Sequence, residues 1–173
     1  MPYFLLVAVL CGIPMLPGCS PTFNWRDVRS DQTPLVALFP CKPDLSARVV
    51  SLGAQDVSMT MWACDAGGAT FAVAYADIKV AADAGAALGQ WKSATLQNMR
   101  APSPSELPYL IKGASAVPPA VQVQTRGLRP DGSGMAVHAV WFAQGSQVFQ
   151  AALYADTVSP ALAETFFSGL RLQ

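Results

Sequence analysis

The chain has 173 residues, a length typical of a single domain, and 52% of them are hydrophobic while 13% are charged. This composition favours a packed globular protein over a disordered chain. Lysine plus arginine and aspartate plus glutamate number 11 each, so the formal net charge is zero. A neutral chain without a basic cluster argues against nucleic-acid binding and against a polybasic membrane patch.

The N-terminal segment Tyr3–Leu16 is almost wholly apolar, and no charged residue occurs before Arg26. A transmembrane helix needs roughly 20 apolar residues. This run is shorter, and Pro14 and Pro17 would each break a helix interior. A short apolar segment that ends in small residues is instead typical of a secretory signal peptide, so we expect residues 1–18 to be one.

The segment Leu16-Pro17-Gly18-Cys19 resembles the lipobox of bacterial lipoproteins, which has Leu three residues and Gly one residue before an invariant Cys. The resemblance implies cleavage before Cys19 and acylation of that cysteine. Two or more acyl chains anchor a protein stably, since each buried methylene contributes about 0.8 kcal/mol. By the same analogy Ser20 implies export to the outer membrane, with the domain facing the periplasm. The alternative is an ordinary signal peptide whose Cys19 stays a free thiol or pairs.

The segment after Cys19 lacks periodicity and is rich in Pro, Ser, Asn and Asp, so residues 19–33 are expected to be a tether. Phe23 and Trp25 are too apolar for a pure linker. They are expected to dock on the domain or to lie at the membrane interface, where Trp is common. They are also candidates for a partner-binding surface. The domain itself is then expected to cover residues 34–173.

From residue 34 onward the pattern becomes typical of β-structure. Val57, Met59 and Met61 alternate with polar residues, and Phe71 and Val73 share a face of the strand that follows a tight Gly-Gly turn. The strands predicted in this half are 34–40, 46–52, 56–64 and 69–78.

The middle of the chain changes character twice. Residues 83–99 have helical spacing, with Asp83 as the expected N-cap. Residues 100–119 contain five prolines and are predicted to form a long loop, of a kind that is often functional. Tyr109 in this loop is a third candidate for a partner-binding surface.

The sequence from residue 120 onward is predicted to form three strands and a second helix. The helix starts at Ser159-Pro160, an N-cap followed by proline at the first helical position. The order of elements predicts an α+β layered domain, with an antiparallel sheet of about six to seven strands flanked by two main helices. The last predicted strands are 120–128, 135–143 and 147–155, with an edge strand at the C-terminus.

The opening strand, the mid-chain helix and the closing segment look like the PsbP/Mog1-like fold. In that family a strand ending in Phe-Pro-x-Lys-Pro begins the domain, and a terminal helix runs into a Phe-x-x-Ser motif. The resemblance implies an α/β/α sandwich with a binding or assembly role and without shared catalytic residues. The matching positions are Phe39, Pro40, Lys42, Pro43, Phe166, Ser168, Gly169 and Leu170.

The cysteines leave one candidate pair, Cys41 and Cys64, once Cys11 is removed with the signal peptide and Cys19 is acylated. In an oxidising compartment we expect them to form a disulfide worth about 3–4 kcal/mol. If the first three strands meander in one sheet, two strand spacings would separate them by about 9.6 Å. That exceeds the roughly 7 Å that a disulfide spans, so the first strand must bend inward or lie elsewhere. The alternative is two buried thiols.

His138 is the only histidine, so a Ser–His–acid triad could be built only on it. It lies in mid-strand without a nucleophile elbow, which favours a structural role. Met59, Met61, Cys41, Cys64 and His138 are ligand types that suit a soft metal. Their spacing matches no recognised metal motif, so core packing is preferred.

These observations favour a non-catalytic protein, lipid-anchored and periplasmic, that binds an envelope partner without a cofactor or metal. No carboxylate pair or phosphate loop is recognised in the sequence. A second hypothesis is a lipoprotein that binds a small molecule or metal in a pocket beneath residues 100–119. A third is a hydrolytic enzyme that uses His138.

Overall fold

A computed structural model describes residues 22–53, 55–102 and 104–173. The predicted signal peptide and Cys19 lie outside these residues. A short 3-10 helix, Ala81–Asp83, leads into the first α-helix. The elements in chain order are β1 (Arg26–Ser30), β2 (Thr33–Phe39), β3 (Asp44–Leu52), β4 (Gln55–Ala66), β5 (Ala69–Asp77), α1 (Ala84–Asn98), β6 (Glu106–Pro108), β7 (Val121–Leu128), β8 (Gly134–Gln144), β9 (Gln147–Ala155), α2 (Pro160–Ser168) and β10 (Arg171–Leu172).

The strands form two antiparallel sheets. The larger sheet has seven strands in the order β3-β4-β5-β9-β8-β7-β6, and the smaller has three in the order β1-β2-β10. The predicted α+β class, with two helices and a main sheet of six to seven strands, is therefore confirmed. None of the helices in the described residues is long and apolar enough to cross a membrane.

The large sheet is covered on both faces, because its strands alternate between two hydrophobic clusters. Phe71 and Val73 face the cluster that α2 and the small sheet cover, and the Phe71 ring lies 5.2 Å from that of Phe166 on α2. Val137 and Trp141 face the opposite cluster, which α1 covers. Each face of the sheet thus has its own helix.

The folded domain begins earlier than residue 34, so the expected boundary between tether and domain is wrong. Strand β1 pairs with β2 along its length, and the backbone N–H of Asn24 donates to the carbonyl oxygen of Pro40 at 2.7 Å. Arg171 on β10 forms an ion pair with Asp27 on β1 at 2.5 Å and lowers the pKa of that carboxyl. Strand β1 is short and mostly exposed, so it lacks the apolar alternation that marks a strand in sequence.

Two local details also differ from prediction. Asp83 is the last residue of the 3-10 turn, has helical backbone angles, and forms no side-chain cap to α1. The 100–119 loop contains strand β6, which pairs with β7 at the edge of the large sheet. Lys92 on α1 forms an ion pair with Glu106 of β6 at 2.5 Å, which ties this segment to the helix.

Candidate functional site: a cleft beneath helix α1

The sheet face beneath α1 is built largely from alanine. Five buried side chains of the sheet in the cluster that α1 covers are alanines: Ala74 and Ala76 on β5, Ala139 and Ala143 on β8, and Ala152 on β9. Alanine presents only a methyl group, so a helix that lies over this face cannot fill the space between itself and every strand. A cleft of about 900 Å³ remains there, which we call the α1 cleft.

The α1 cleft is lined by every methionine in the described part of the chain. The sequence contains six methionines, two of which, Met1 and Met15, precede residue 22. Methionine is flexible and polarisable, and it suits surfaces that adapt to apolar ligands. Trp91 on α1 adds an aromatic wall. The four lining methionines are Met59, Met61, Met99 and Met135.

Polar side chains lie among these apolar walls, since ten of the 21 lining residues are polar or charged. Gln150, only 9% exposed, donates from Nε2 to Thr95 Oγ1 at 3.4 Å across the cleft. Burial raises the pKa of Tyr154 to about 12, so its phenol stays protonated at neutral pH. Apolar walls with fixed polar groups among them are the usual composition of a small-molecule site.

Three charged side chains border the cleft: Arg48, Asp65 and Arg129. Asp65 accepts a hydrogen bond from the Thr70 hydroxyl at 2.5 Å, and Arg129 forms an ion pair with Asp156 at 2.7 Å. Arg48 takes part in none of the ion pairs or side-chain hydrogen bonds found among the described residues. Among the described residues the border therefore carries one cation, Arg48, and one carboxylate, Asp65, that form no ion pair.

A second, smaller cavity of about 470 Å³ lies beside α2 on the opposite face of the sheet, and His138 lines it. His138 Nε2 lies 3.1 Å from the Gln122 side-chain oxygen, and burial lowers the histidine pKa. Its ring centroid lies 4.3 Å from that of Phe167. No serine or cysteine of the described residues lines this cavity. The neighbourhood of His138 is that of a packed sheet residue.

The three predicted partner-binding residues do not form one surface. Phe23 stacks on Trp25 at 5.9 Å, and Trp25 meets Phe71 edge-to-face, so both are half-buried on the domain. Tyr109 is half-buried in the second cavity, where burial and then the charge of Glu164 raise its pKa. All three side chains already have partners within the fold.

Cys41 and Cys64 are joined by a disulfide with their Cα atoms 6.2 Å apart. The meander that would have separated them does not exist, because β2 lies in the small sheet while β4 lies in the large one. The soft-metal set is not brought together either. Its two cysteine sulfurs are bonded to each other, and His138 and Met59 lie on opposite faces of the large sheet.

No residue of the 100–119 segment, beneath which a pocket was expected, lines the α1 cleft. Tyr109 is its one contribution to the second cavity. The signal that sequence reasoning missed is compositional. Alanine at the inward positions of adjacent strands, together with Gly89 in an alanine-rich helix, predicts loose packing between helix and sheet.

Comparison with known proteins gives little further information. No family model matches the chain, and no curated protein matches it. A crystal structure of a protein of unknown function from Pseudomonas aeruginosa is similar at 13% identity and a TM-score of 0.37. The match covers 82% of this chain and 87% of that one. A likeness this distant carries no argument about function.

Proposed function

We propose that this protein is a non-catalytic lipoprotein of the cell envelope whose domain binds a small apolar or amphipathic molecule in the α1 cleft. The observation that carries the proposal is the cleft itself, about 900 Å³ in volume and lined by four methionines and Trp91. Its volume lies within the range of about 300–1,000 Å³ that is usual for ligand sites.

The envelope location is supported by the lipobox-like segment 16–19 and by a disulfide, which is typical of oxidising compartments. The position at which the N-terminal segment joins the domain also supports the proposal. The Phe23 ring packs directly over Gly67 in the β4–β5 turn, and the next residue, Gly68, lines the α1 cleft. Four residues span at most about 14 Å, so an acylated Cys19 would hold this end of the cleft near the membrane.

The finer fold assignment is also part of the proposal. The PsbP/Mog1-like sandwich is supported by the position of the two helices on opposite faces of the seven-stranded sheet. The Phe-Pro-x-Lys-Pro motif ends strand β2, and the closing Phe166–Leu170 motif spans the end of α2. A binding or assembly role follows from that resemblance.

A protein partner is the second candidate function, favoured by one observation. Leu110 is 96% exposed and Val117 is 86% exposed, both in the 100–119 segment. These are better placed to meet a partner than Phe23, Trp25 or Tyr109. A photo-crosslinking residue at position 110 should then capture one discrete protein in intact cells, whereas the same residue at exposed Gln124 should not.

The experiment that tests ligand binding uses the fluorescent apolar probe N-phenyl-1-naphthylamine and two matched helix variants. Ala94 on α1 lines the cleft and is exposed, so Ala94→Phe fills the opening without entering the core. Ala86 is exposed on the same helix but does not line the cleft. Saturable binding that Ala94→Phe weakens about tenfold or more, and Ala86→Phe leaves unchanged, supports the proposal. Equal binding by both variants would overturn it.

A further inference from the structure

We infer that the ligand of the α1 cleft is an amphiphile with an apolar chain and an anionic head group, and that Arg48 binds the head group. This inference rests on the proposed function. It adds the charge of the ligand and the residue that recognises it.

Arg48 lies where a head group would emerge from the cleft. It stands on β3, the edge strand of the large sheet, directly opposite Met59 in the β3–β4 register. Residues paired in this way present their side chains on the same face of a sheet, about 5 Å apart at Cβ. The guanidinium group therefore rises beside the methionine wall and reaches solvent at the open side of the cleft.

The position of the charges on the cleft border selects an anion at the Arg48 end. Arg129 is neutralised by Asp156, and the Asp65 carboxylate lies six residues along β4 from Met59, or about 20 Å away from the position opposite Arg48. Among the described residues Arg48 forms no ion pair, so this end of the cleft has an unpaired positive charge next to an apolar surface. A planar guanidinium binds carboxylates and phosphates through paired, charge-assisted hydrogen bonds.

The remaining lining fits the chain of such a molecule. Met61, Met99, Met135 and Trp91 offer apolar surface that can adapt to a flexible chain. Gln150 and Tyr154 add neutral polar groups. A carboxylate head, as in a fatty acid, and a phosphate head, as in a lysophospholipid, share the chemistry that Arg48 recognises.

The test measures calorimetric affinity of the protein for four compounds with the same dodecyl chain, each below its critical micelle concentration. Dodecanoate and dodecyl phosphate are anionic, dodecyl maltoside is neutral, and dodecyltrimethylammonium is cationic. We expect the anionic pair to bind about tenfold more tightly than the other two, and this preference to weaken with added salt. The better of the two anions identifies the head-group class.

Arg48→Gln should lose the preference while keeping affinity for dodecyl maltoside, and Arg48→Lys should keep part of it. The control is Arg126→Gln, because Arg126 is exposed on β7, also lacks an ion pair in the described residues, and does not line the cleft. If all four compounds bind wild-type protein equally, or if Arg48→Gln keeps the preference, the inference is overturned while the proposed function stands. If none binds, both are overturned.

Discussion

The amide of Gln150 on β9 donates a hydrogen bond of 3.4 Å to the hydroxyl of Thr95 on α1. This bond crosses the α1 cleft and joins its helical wall to its floor. Gln150 is one of very few buried polar side chains in the described residues, and its neighbour in register on β5 is Ala74. Because the side chains beneath α1 are small, their packing does not determine the distance between the helix and the sheet. This hydrogen bond therefore fixes that distance.

Removing the acceptor should destabilise the domain. Thr95→Val leaves the Gln150 amide buried without its partner, and the free energy of unfolding should fall by about 1–3 kcal/mol. Urea unfolding followed by tryptophan fluorescence measures the change. The double variant Thr95→Val, Gln150→Leu replaces both partners with apolar groups and should recover most of the loss. A double variant as unstable as Thr95→Val alone would contradict the role given to this bond.

The disulfide should contribute strongly to stability, because it links the two sheets through residues 23 positions apart. On the chain-entropy model, Cys41→Ser with Cys64→Ser should lower the free energy of unfolding by about 3–4 kcal/mol. Unfolding of wild-type protein with and without reductant gives the same comparison without substitution. Protein purified without reductant should show no free thiol at either position, and a reactive thiol there would contradict the pairing.

Two glycines should respond oppositely to alanine. Gly89 lies inside α1 with nothing near the position of an added Cβ, so Gly89→Ala should raise the free energy of unfolding by about 0.5–1 kcal/mol. At Gly127 an added Cβ would lie 2.9 Å from both the Cβ and the carbonyl oxygen of Met99. Gly127→Ala should therefore destabilise the domain. Thermal unfolding midpoints that shift in the same direction for both variants would contradict the packing described here.

The half-buried His138 makes stability depend on pH. Burial lowers the folded-state pKa of His138 below the unfolded value of about 6.5. The unfolded state therefore binds a proton more readily than the folded state does. The stability is fully present above pH 6.5 and falls as the pH drops toward the folded pKa. His138→Gln should show a smaller loss between pH 7 and pH 5 in urea unfolding. Identical pH profiles for the two proteins would exclude this contribution.

Sequence patterns predict the strands of this fold whose side chains are apolar and well packed. They miss the short strands whose side chains are exposed. Strand β9 was predicted at its observed bounds, 147–155, because apolar residues continue through it between clear turns. Strand β1 was missed because its side chains are charged and exposed, and only backbone pairing with β2 places it. Short strand β6 was missed because it is only three residues long and ends in Pro108.

The candidate site was harder to predict than the fold, for a physical reason. A cleft is a volume that no side chain fills, and it arises here where alanines on three neighbouring strands, β5, β9 and β8, lie under one helix. Sequence spacing does not show which strands are neighbours, so Met59 and Met61 were expected only to pack in the core. The position of Arg48 opposite Met59 likewise depends on the β3–β4 register.

The most direct test of the central claim uses the methionine methyl groups as reporters. Protein labelled with ¹³C at the methionine methyls should give resolved signals for Met59, Met61, Met99 and Met135, all of which line the α1 cleft. Titration with dodecanoate should shift these signals with one common affinity, and Ala94→Phe should abolish the shifts. Two results would contradict the account: dodecanoate binds but the methyl signals stay unchanged, or dodecanoate does not bind at all.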